Sequence, residues 1–316
     1  MAGENMILRI GTRGSKLALI QSEWIKSRIQ DRHPDVRVVL TVIKTTGDKI
    51  LDSPLSKIGG KGLFVKEIED ALLQNRVDLA VHSMKDVPAE LPEGLMLAAF
   101  PEREDPRDAL VSVGDASIDQ LPRKARLGTS SLRRAAQILH IRPDLDIAPL
   151  RGNVDTRLGK LNGGELDCII LATAGLKRMG LEDRISQVIP TDKILPAIGQ
   201  GALGLETRRD DARTIAVISF LNHEPTQVAV AVERAFLKEL EGGCQVPIAG
   251  LGLLEDGQLH FTGMVAELDG TRIIQDQISG NKKDAAQMGR ELAGKLLAGG
   301  ARKILEKIYG KSLSNG

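Results

Sequence analysis

Short apolar runs alternate with stretches of helical periodicity between residues 7 and 100, and the same alternation returns between residues 109 and 172. A chain written this way must bury strands under helices, which confines it to the α/β class. The first block predicts a strand over 7–10, a helix over 15–31 and a strand over 36–43, the last alternating at Val36, Val38, Leu40 and Val42. Ser15 is a fitting N-cap for that helix, and Leu17, Ile20 and Trp24 give it an apolar stripe. A further helix is expected over 65–75, followed by a buried strand over 79–81. In the second block, strands are expected over 109–113, 126–128, 147–150 and 168–172, with helices over 131–140 and 154–161.

The segment 101–107 is charged, bracketed by Pro101 and Pro106 and free of apolar periodicity, as a linker between domains is. Beyond Phe220 the pattern changes to a helix over 226–241, extended stretches over 248–254, 259–266 and 271–279, and helices over 285–297 and 301–309. That order describes a smaller α+β unit with a three-stranded antiparallel sheet. At 316 residues the chain exceeds the size at which one core keeps growing, so two or three domains are expected. Lys and Arg total 43 against 42 Asp and Glu, so no global field draws nucleic acid or a membrane surface, and any anion site has to come from local clustering. No apolar stretch approaches a membrane span and no export signal is evident, which points to the cytoplasm. The five histidines are scattered singly and Cys168 and Cys244 lack zinc spacing, so no metal is expected.

Candidate chemistry begins where the strand over 79–81 runs out. Pro88 stops a ladder from continuing, so Ser83, Lys85 and Asp86 are displayed together at a carboxyl strand end, the place where α/β folds bind ligands. Arginines recur beside glycines and at helix starts: Arg13 after Gly11, Arg133 and Arg134 after Thr129 and Ser131, Arg151 before Gly152 and Asn153, then Arg157 and Arg178. Each alone reads more readily as a solvated capping residue than as a ligand contact. Repeated at strand-to-helix junctions of two domains, they argue for a polyanionic ligand in the cleft between them, because helix amino termini offer free amides and a positive dipole. The pattern leaves phosphate and carboxylate undistinguished. The loop over 58–62 is glycine-rich but not a Walker A sequence, because Gly62 stands where Ser or Thr is required. Cys244 follows Gly242 and Gly243 and precedes Pro247, which holds it on a tight loop suited to a reactive thiol, whereas Cys168 lies in an apolar strand as an inert core residue.

Taken in order along the chain, these segments resemble the porphobilinogen deaminases, also called hydroxymethylbilane synthases. The resemblance rests on residues 11–15, 59–64, the Asp86 segment, 103–108, 128–134, 150–153, 199–202 and 242–244. It implies two α/β domains like those of periplasmic binding proteins plus a smaller α+β carboxyl-terminal domain, divided as 1–101 with 199–219, 106–197, and 223–316. It also implies a dipyrromethane cofactor joined by a thioether to Cys244 and built from two molecules of the substrate, porphobilinogen. Four porphobilinogens are then condensed with loss of ammonia, and hydroxymethylbilane is released by hydrolysis. By the same resemblance Asp86 stabilises the cationic methylene pyrrolenine and relays protons. Ser83, Lys85, Asp86, Thr129, Ser131, Arg133, Arg134, Gly152 and Asn153 hold the cofactor; Arg13, Ser15, Arg151, Arg157, Arg178 and Gln200 bind substrate carboxylates; and Lys57, Lys61 and Phe64 belong to a mobile loop. A monomer is expected. Two rivals are a non-catalytic anion-binding protein, which leaves Cys244 and the third domain without a purpose, and a pyridoxal phosphate enzyme using Lys61 or Lys85.

Overall fold

The computed structural model describes residues 6–49, 62–242, 246–310 and 313. In chain order the strands are β1 (Met6–Thr12), β2 (Val36–Val42), β3 (Leu79–Ser83), β4 (Leu95–Ala99), β5 (Asp108–Ser112), β6 (Arg126–Gly128), β7 (Asp146–Ala148), β8 (Cys168–Ala172), β9 (Gln187–Val188), β10 (Leu203–Arg208), β11 (Ile248–Glu255), β12 (Gln258–Ala266) and β13 (Ile273–Asn281). The helices are α1 (Lys16–Arg32), α2 (Thr46–Lys49), α3 (Lys66–Leu73), α4 (Leu132–Ile141), α5 (Val154–Asn162), α6 (Thr173–Arg178), α7 (Ala212–Ile218), α8 (Glu224–Glu239), α9 (Ala285–Leu296) and α10 (Arg302–Tyr309). Among the described residues no helix is long and apolar enough to cross a membrane.

The chain divides into two compact units, residues 1–103 with 202–227 and residues 104–201 with 228–316. The first unit holds one five-stranded sheet in the order β2-β1-β3-β10-β4, with β1 parallel to β2 and β3, and β10 antiparallel to β3 and β4. Its core under α1 gathers Leu8, Ile10, Ile25, Ile29, Leu79, Val81 and Leu205. On the opposite face Ile68, Ala71 and Leu72 of α3 pack with Val77, Ala80 and Leu95. The stripe expected at Leu17, Ile20 and Trp24 is not the buried face of α1: Trp24 is 46% exposed, and the face turned inward carries Gln21, Ser22, Ile25 and Ile29. The expected alternation of β2 also ends early, because Ile43 rather than Val42 is buried once the amide of Ile43 turns to bond the carbonyl of Thr12.

The second unit repeats the plan in the order β7-β6-β8-β5-β9, with β6 parallel to β7 and β8 and β5 antiparallel to β8 and β9. In both sheets the fourth strand is an antiparallel one that follows a passage of the chain from the other unit. The second unit also carries the antiparallel meander β11-β12-β13, covered by α8, α9 and α10 around Phe236 and Phe261, whose rings meet edge to face at 5.1 Å. This meander is fastened to the α/β part. Ala136 and Leu195 share a cluster with Ala249, Leu251, Met264 and Ala266. Glu233 of α8 is fully buried and accepts from the amides of Gly199 at 2.6 Å and Gly252 at 2.9 Å.

Gly270, in the β12–β13 connection, marks the tightest of these contacts. Its φ is +72°, and a Cβ there would overlap the carbonyl of Ala136 and lie 2.6 Å from the amide nitrogen of His140, on the backbone of α4. The neighbouring carbonyl of Gly270 accepts from, or is held by, His140 Nδ1 at 2.8 Å. Backbone cannot yield as a side chain can, so Gly270→Ala is expected to destabilise the second unit by about 1–3 kcal/mol. Urea unfolding of the variant beside the parent protein measures it; an unchanged midpoint would show that the meander does not depend on this approach.

Candidate active site

In the first unit the site begins at the end of β3. Ser83 closes the strand, and Met84–Asp86 form one turn of 3-10 helix that Val87 ends by donating its amide to the carbonyl of Met84. The amide of Met84 bonds the carbonyl of Ala202, and Gly204, opposite His82 on β10, leaves room for the Met84 sulfur, which a Cβ at that position would overlap. The turn is thus held by β10. Ser83 and the buried Gln21 of α1 exchange hydrogen bonds, Nε2 donating to Oγ at 3.2 Å and Oγ donating to Oε1 at 3.3 Å. Asp86 is half-buried, and its carboxylate has no hydrogen-bond or ion-pair partner among the described residues. Arg13 follows β1, and its guanidinium lies over the Phe64 ring at 4.3 Å. Ser15 caps α1, accepting from the amide of Ala18 at 3.4 Å.

In the second unit the candidate residues gather at the carboxyl ends of β6, β7 and β8. Ser131 caps α4 by accepting from the amide of Arg134, Thr129 Oγ1 accepts from the amide of Ser131 at 3.2 Å, and Asn153 caps α5 by accepting from the amide of Thr156 at 2.9 Å. Each side chain turns an acceptor lone pair to the backbone and keeps a hydroxyl or amide hydrogen to donate. Gly152 sits at φ +107°, where a Cβ would press on Thr156, and Arg157 Nε donates to its carbonyl at 2.9 Å. Arg151 and Arg157 are half-buried. Arg178 ends α6 and donates to the carbonyl of Gly201 at 2.7 Å; burial, opposed by Glu104, pushes its guanidinium down to about 10.

Arg133 and Arg134 are placed differently from a pair of free cationic side chains. Both are buried, and both bind Asp108 at the start of β5: Arg133 Nη1 reaches Oδ2 and Arg134 Nη2 reaches Oδ1, each at 2.7 Å. Carbonyls take up further donors, that of Leu195 from Arg133 and that of Ile170 from Arg134. Gln200, 1% exposed, closes the network by donating to Asp108 Oδ1 at 3.0 Å while accepting from Arg133 Nη2 at 3.3 Å. Burial alone would raise the Asp108 carboxyl, but the two guanidiniums outweigh it and hold the group far below the usual carboxylate range. Two cations share one anion, so the cluster at the base of α4 retains one positive charge.

Asp108 escapes sequence reading because its partners lie 25 and 26 residues away on a helix; the same holds for Gln21, which meets Ser83 across 62 residues. Lys57, Lys61 and Cys244 lie outside the described residues. Near Cys244 the chain leaves α8 and enters β11, with the amide of Gly242 on the carbonyl of Leu237 and Tyr309 Oη donating to the carbonyl of Glu241. Cys168 is buried in β8, and burial pushes its thiol up to about 12.

A family model described as porphobilinogen deaminase, dipyromethane cofactor binding domain, matches residues 8–216, and that of the porphobilinogen deaminase C-terminal domain matches residues 227–298. This chain belongs to the porphobilinogen deaminase family. The porphobilinogen deaminases of Trichlorobacter lovleyi and Geobacter sulfurreducens are each 54% identical to it, over 98% and 97% of this chain and 98% and 96% of theirs. That of Nitratidesulfovibrio vulgaris is 57% identical over 96% of both chains. Among solved structures, the periplasmic aliphatic sulphonate binding protein SsuA from Escherichia coli aligns over 75% of this chain and 71% of its own, at 13% identity and a TM-score of 0.41.

The residues present suit the cofactor of the deaminase family. A dipyrromethane carries acetate and propionate groups, which need cations and hydrogen donors, and pyrrole N–H groups, which need an acceptor. Hydroxyl and amide hydrogens on Thr129, Ser131 and Asn153, and a buried cluster with surplus positive charge, suit the first need. In the first unit, the Asp86 carboxylate, unpartnered among the described residues, is an acceptor of the kind the second requires.

Removing the shared anion leaves two buried guanidiniums facing each other, so Asp108→Asn is expected to cost about 3–5 kcal/mol of stability, read by urea unfolding. Because the Asp108 carboxyl is depressed in the folded protein, its contribution is present above the ordinary carboxylate range near 3.8 and is lost only as pH falls through the lower folded value. The deficit of the variant is therefore expected to be undiminished at pH 5 and to shrink only in strong acid.

Proposed function

We propose that this chain joins four porphobilinogen molecules head to tail on a dipyrromethane held by Cys244, releases one ammonia at each addition, and hydrolyses the finished hydroxymethylbilane from it. The observation that carries the reading to particular atoms is Asp86: a half-buried carboxylate with no partner among the described residues, fixed at a carboxyl strand end in a chain of the deaminase family. When bound, the dipyrromethane supplies the pyrrole carbon from which the product is extended. Departure of ammonia from porphobilinogen leaves a positive charge shared with the ring nitrogen. The Asp86 carboxylate lies ready to accept pyrrole N–H groups, to lower the energy of that charge and to take up and return a proton. An arginine partner would spend this capacity, which is why the absence of one in the described structure matters.

The other groups bind and orient. Thr129, Ser131 and Asn153 donate to carboxylates from helix starts where the backbone dipole adds to them. Arg151, Arg157 and Arg178 supply charge on the second unit, and Arg13 and Ser15 supply it on the first, with the Phe64 ring holding the plane of the Arg13 guanidinium. Lys85 and Ser83 flank Asp86, and Lys57 and Lys61 add cations from the segment before α3. Buried Arg133, Arg134 and Gln200 act through the charge and rigidity that they give the base of α4. The same reading makes the protein a cytoplasmic monomer whose partner is a small molecule.

Asp86→Asn keeps the shape of the turn but removes the charge, and turnover of porphobilinogen is expected to fall by about a hundredfold or more while the far-ultraviolet dichroism is retained. Intact mass supplies a second check. The parent protein is expected to exceed its sequence mass by two porphobilinogens less two ammonias, and Cys244→Ser is not. Near-normal ammonia release by Asp86→Asn would remove Asp86 from the chemistry; an adduct surviving in Cys244→Ser would remove Cys244.

A further inference from the structure

Behind the turn that carries Asp86, three ionisable side chains are buried together on the face of the first sheet that α3 covers. His82 of β3 and Glu206 of β10 are fully covered, with His82 Nε2 2.8 Å from Glu206 Oε2. They belong to neighbouring antiparallel strands, where His82 stands opposite Gly204 and Glu206 opposite Ala80. Glu69, 6% exposed, lies on α3, whose Ile68 and Leu72 pack with Ala80, the residue opposite Glu206. Two oxygens are left open: Oε1 of Glu69 and Oε1 of Glu206 are both buried without a hydrogen-bond partner. A buried carboxylate oxygen without a donor is costly, and two such oxygens on facing elements are satisfied together by a single proton.

We propose that Glu69 keeps its proton in the folded protein and donates it to the open oxygen of Glu206, so that a Glu69–Glu206–His82 chain pins the end of β3 and positions Asp86. The positioning part rests on the deaminase reading; the proton does not. Burial pushes the Glu69 carboxyl up to about 7, the charge of Glu206 adds to the rise and that of His82 opposes it. Among the described residues the neighbouring arginines are engaged elsewhere. On β1, Arg9 is taken by Asp78 at 2.7 Å, and on β10, Arg208 is taken by Asp78 and Asp211 and by the carbonyls of Leu72 and Val77. β4 brings no ionisable group to the contact, and on α3 itself the nearest charge, Asp70, has the sign that favours a protonated Glu69.

The chain has mechanical reach in two directions. His82 precedes the Met84–Asp86 turn by a single residue, and β10, which carries Glu206, also supplies the gap at Gly204 that seats Met84. Glu69 seats the first turn of α3, just after Phe64, whose ring supports Arg13. Glu69 and Glu206 are thus positioning residues for Asp86 and Arg13, two of the groups of the first unit that the proposed reaction uses.

A carboxyl whose folded value is raised stabilises fully below its ordinary range near 4.5 and loses that contribution as pH rises through about 7. Thermal unfolding of the full chain and of Glu69→Gln, which keeps a donor and has no charge, is therefore followed from pH 5 to pH 8.5. The parent midpoint is expected to fall relative to that of the variant from pH 5 to about 7 and to run parallel to it above. A constant offset over the whole range would mean that Glu69 is ionised throughout and would overturn the proposal. Positioning is tested by the pair Glu69→Ala and Glu69→Gln: alanine is expected to lower turnover at saturating porphobilinogen about tenfold with KM within about twofold, and glutamine to restore most of it. Parent-like turnover in the alanine variant, or a glutamine variant no better than alanine, would overturn it. If alanine prevents folding, glutamine against the parent over the same pH range decides. A parent protein that makes no hydroxymethylbilane would sink the deaminase reading, and the unfolding comparison would still settle the proton.

Discussion

The antiparallel fourth strand is the constraint on which each sheet depends. β10 is hydrogen-bonded on both sides, to β3 and β4, and β5 likewise to β8 and β9, so neither can shift register without breaking two ladders. Because these strands run against their parallel neighbours, their amino ends lie beside the carboxyl ends where candidate groups are displayed. Leu203 stands opposite Ser83, and Asp108 stands opposite Ala172. Each sheet thus receives, at its functional end, residues from a chain segment that has just arrived from the other unit: Ala202 and Gly204 seat the Asp86 turn, and Asp108 organises two arginines. Strands entering in the parallel sense would bring their carboxyl ends there instead, and with them different residues.

Much of this was legible in the amino-acid sequence, and the reasons differ by residue. The strand ending at Gly128 is visible because an apolar run stops abruptly at a polar segment, and the cap at Ser15 is visible because capping is a local transaction, whereas the strand expected over 79–81 runs on through His82 to Ser83. The buried face of α1 was not, since Gln21 and Ser22 are polar residues turned inward by partners in other strands: Ser22 donates to Thr12 Oγ1 at 2.8 Å, and Gln21 exchanges hydrogen bonds with Ser83. A periodicity read from hydrophobicity counts Trp24 toward the core and these two away from it. Arg133 shows the same limit from the other side. A helix-start arginine reads as a ligand contact or a solvated side chain, and nothing short of the pairing of β5 with β8 tells that an aspartate 25 residues earlier consumes it. His82 was one of five isolated histidines in the sequence, and its partner Glu206 stands 124 residues further on.

The second unit handles charge by sharing. A one-to-one arrangement of arginines and acids would satisfy its interior and leave nothing for a ligand, whereas one aspartate between two guanidiniums, with backbone carbonyls and Gln200 filling the remaining positions, keeps both cations ordered and leaves positive charge over. Burial makes that surplus effective. In water a single charge is screened within about 10 Å, while in a low-dielectric interior it is felt at the helix start above it. Caps at Ser131 and Asn153 add directional donors without adding charge.

The first unit faces the opposite requirement, an anion kept without a partner among the described residues. Asp86 is half-buried and followed by Val87 and Pro88, a sequence that ends the turn without offering a side-chain donor, and among the described residues neither Lys85 of the same turn nor Arg13, stacked on Phe64, pairs with it. Holding a carboxylate in this state costs stability that the turn cannot recover by itself. The surroundings recover it through order: Met84 locked against Gly204, Ser83 against Gln21, and His82 against Glu206 leave the 84–86 backbone with little freedom to swing the charge into bulk water. The two units therefore handle charge by different means, the one by pairing cations incompletely and the other by immobilising an acid that has no partner among the described residues.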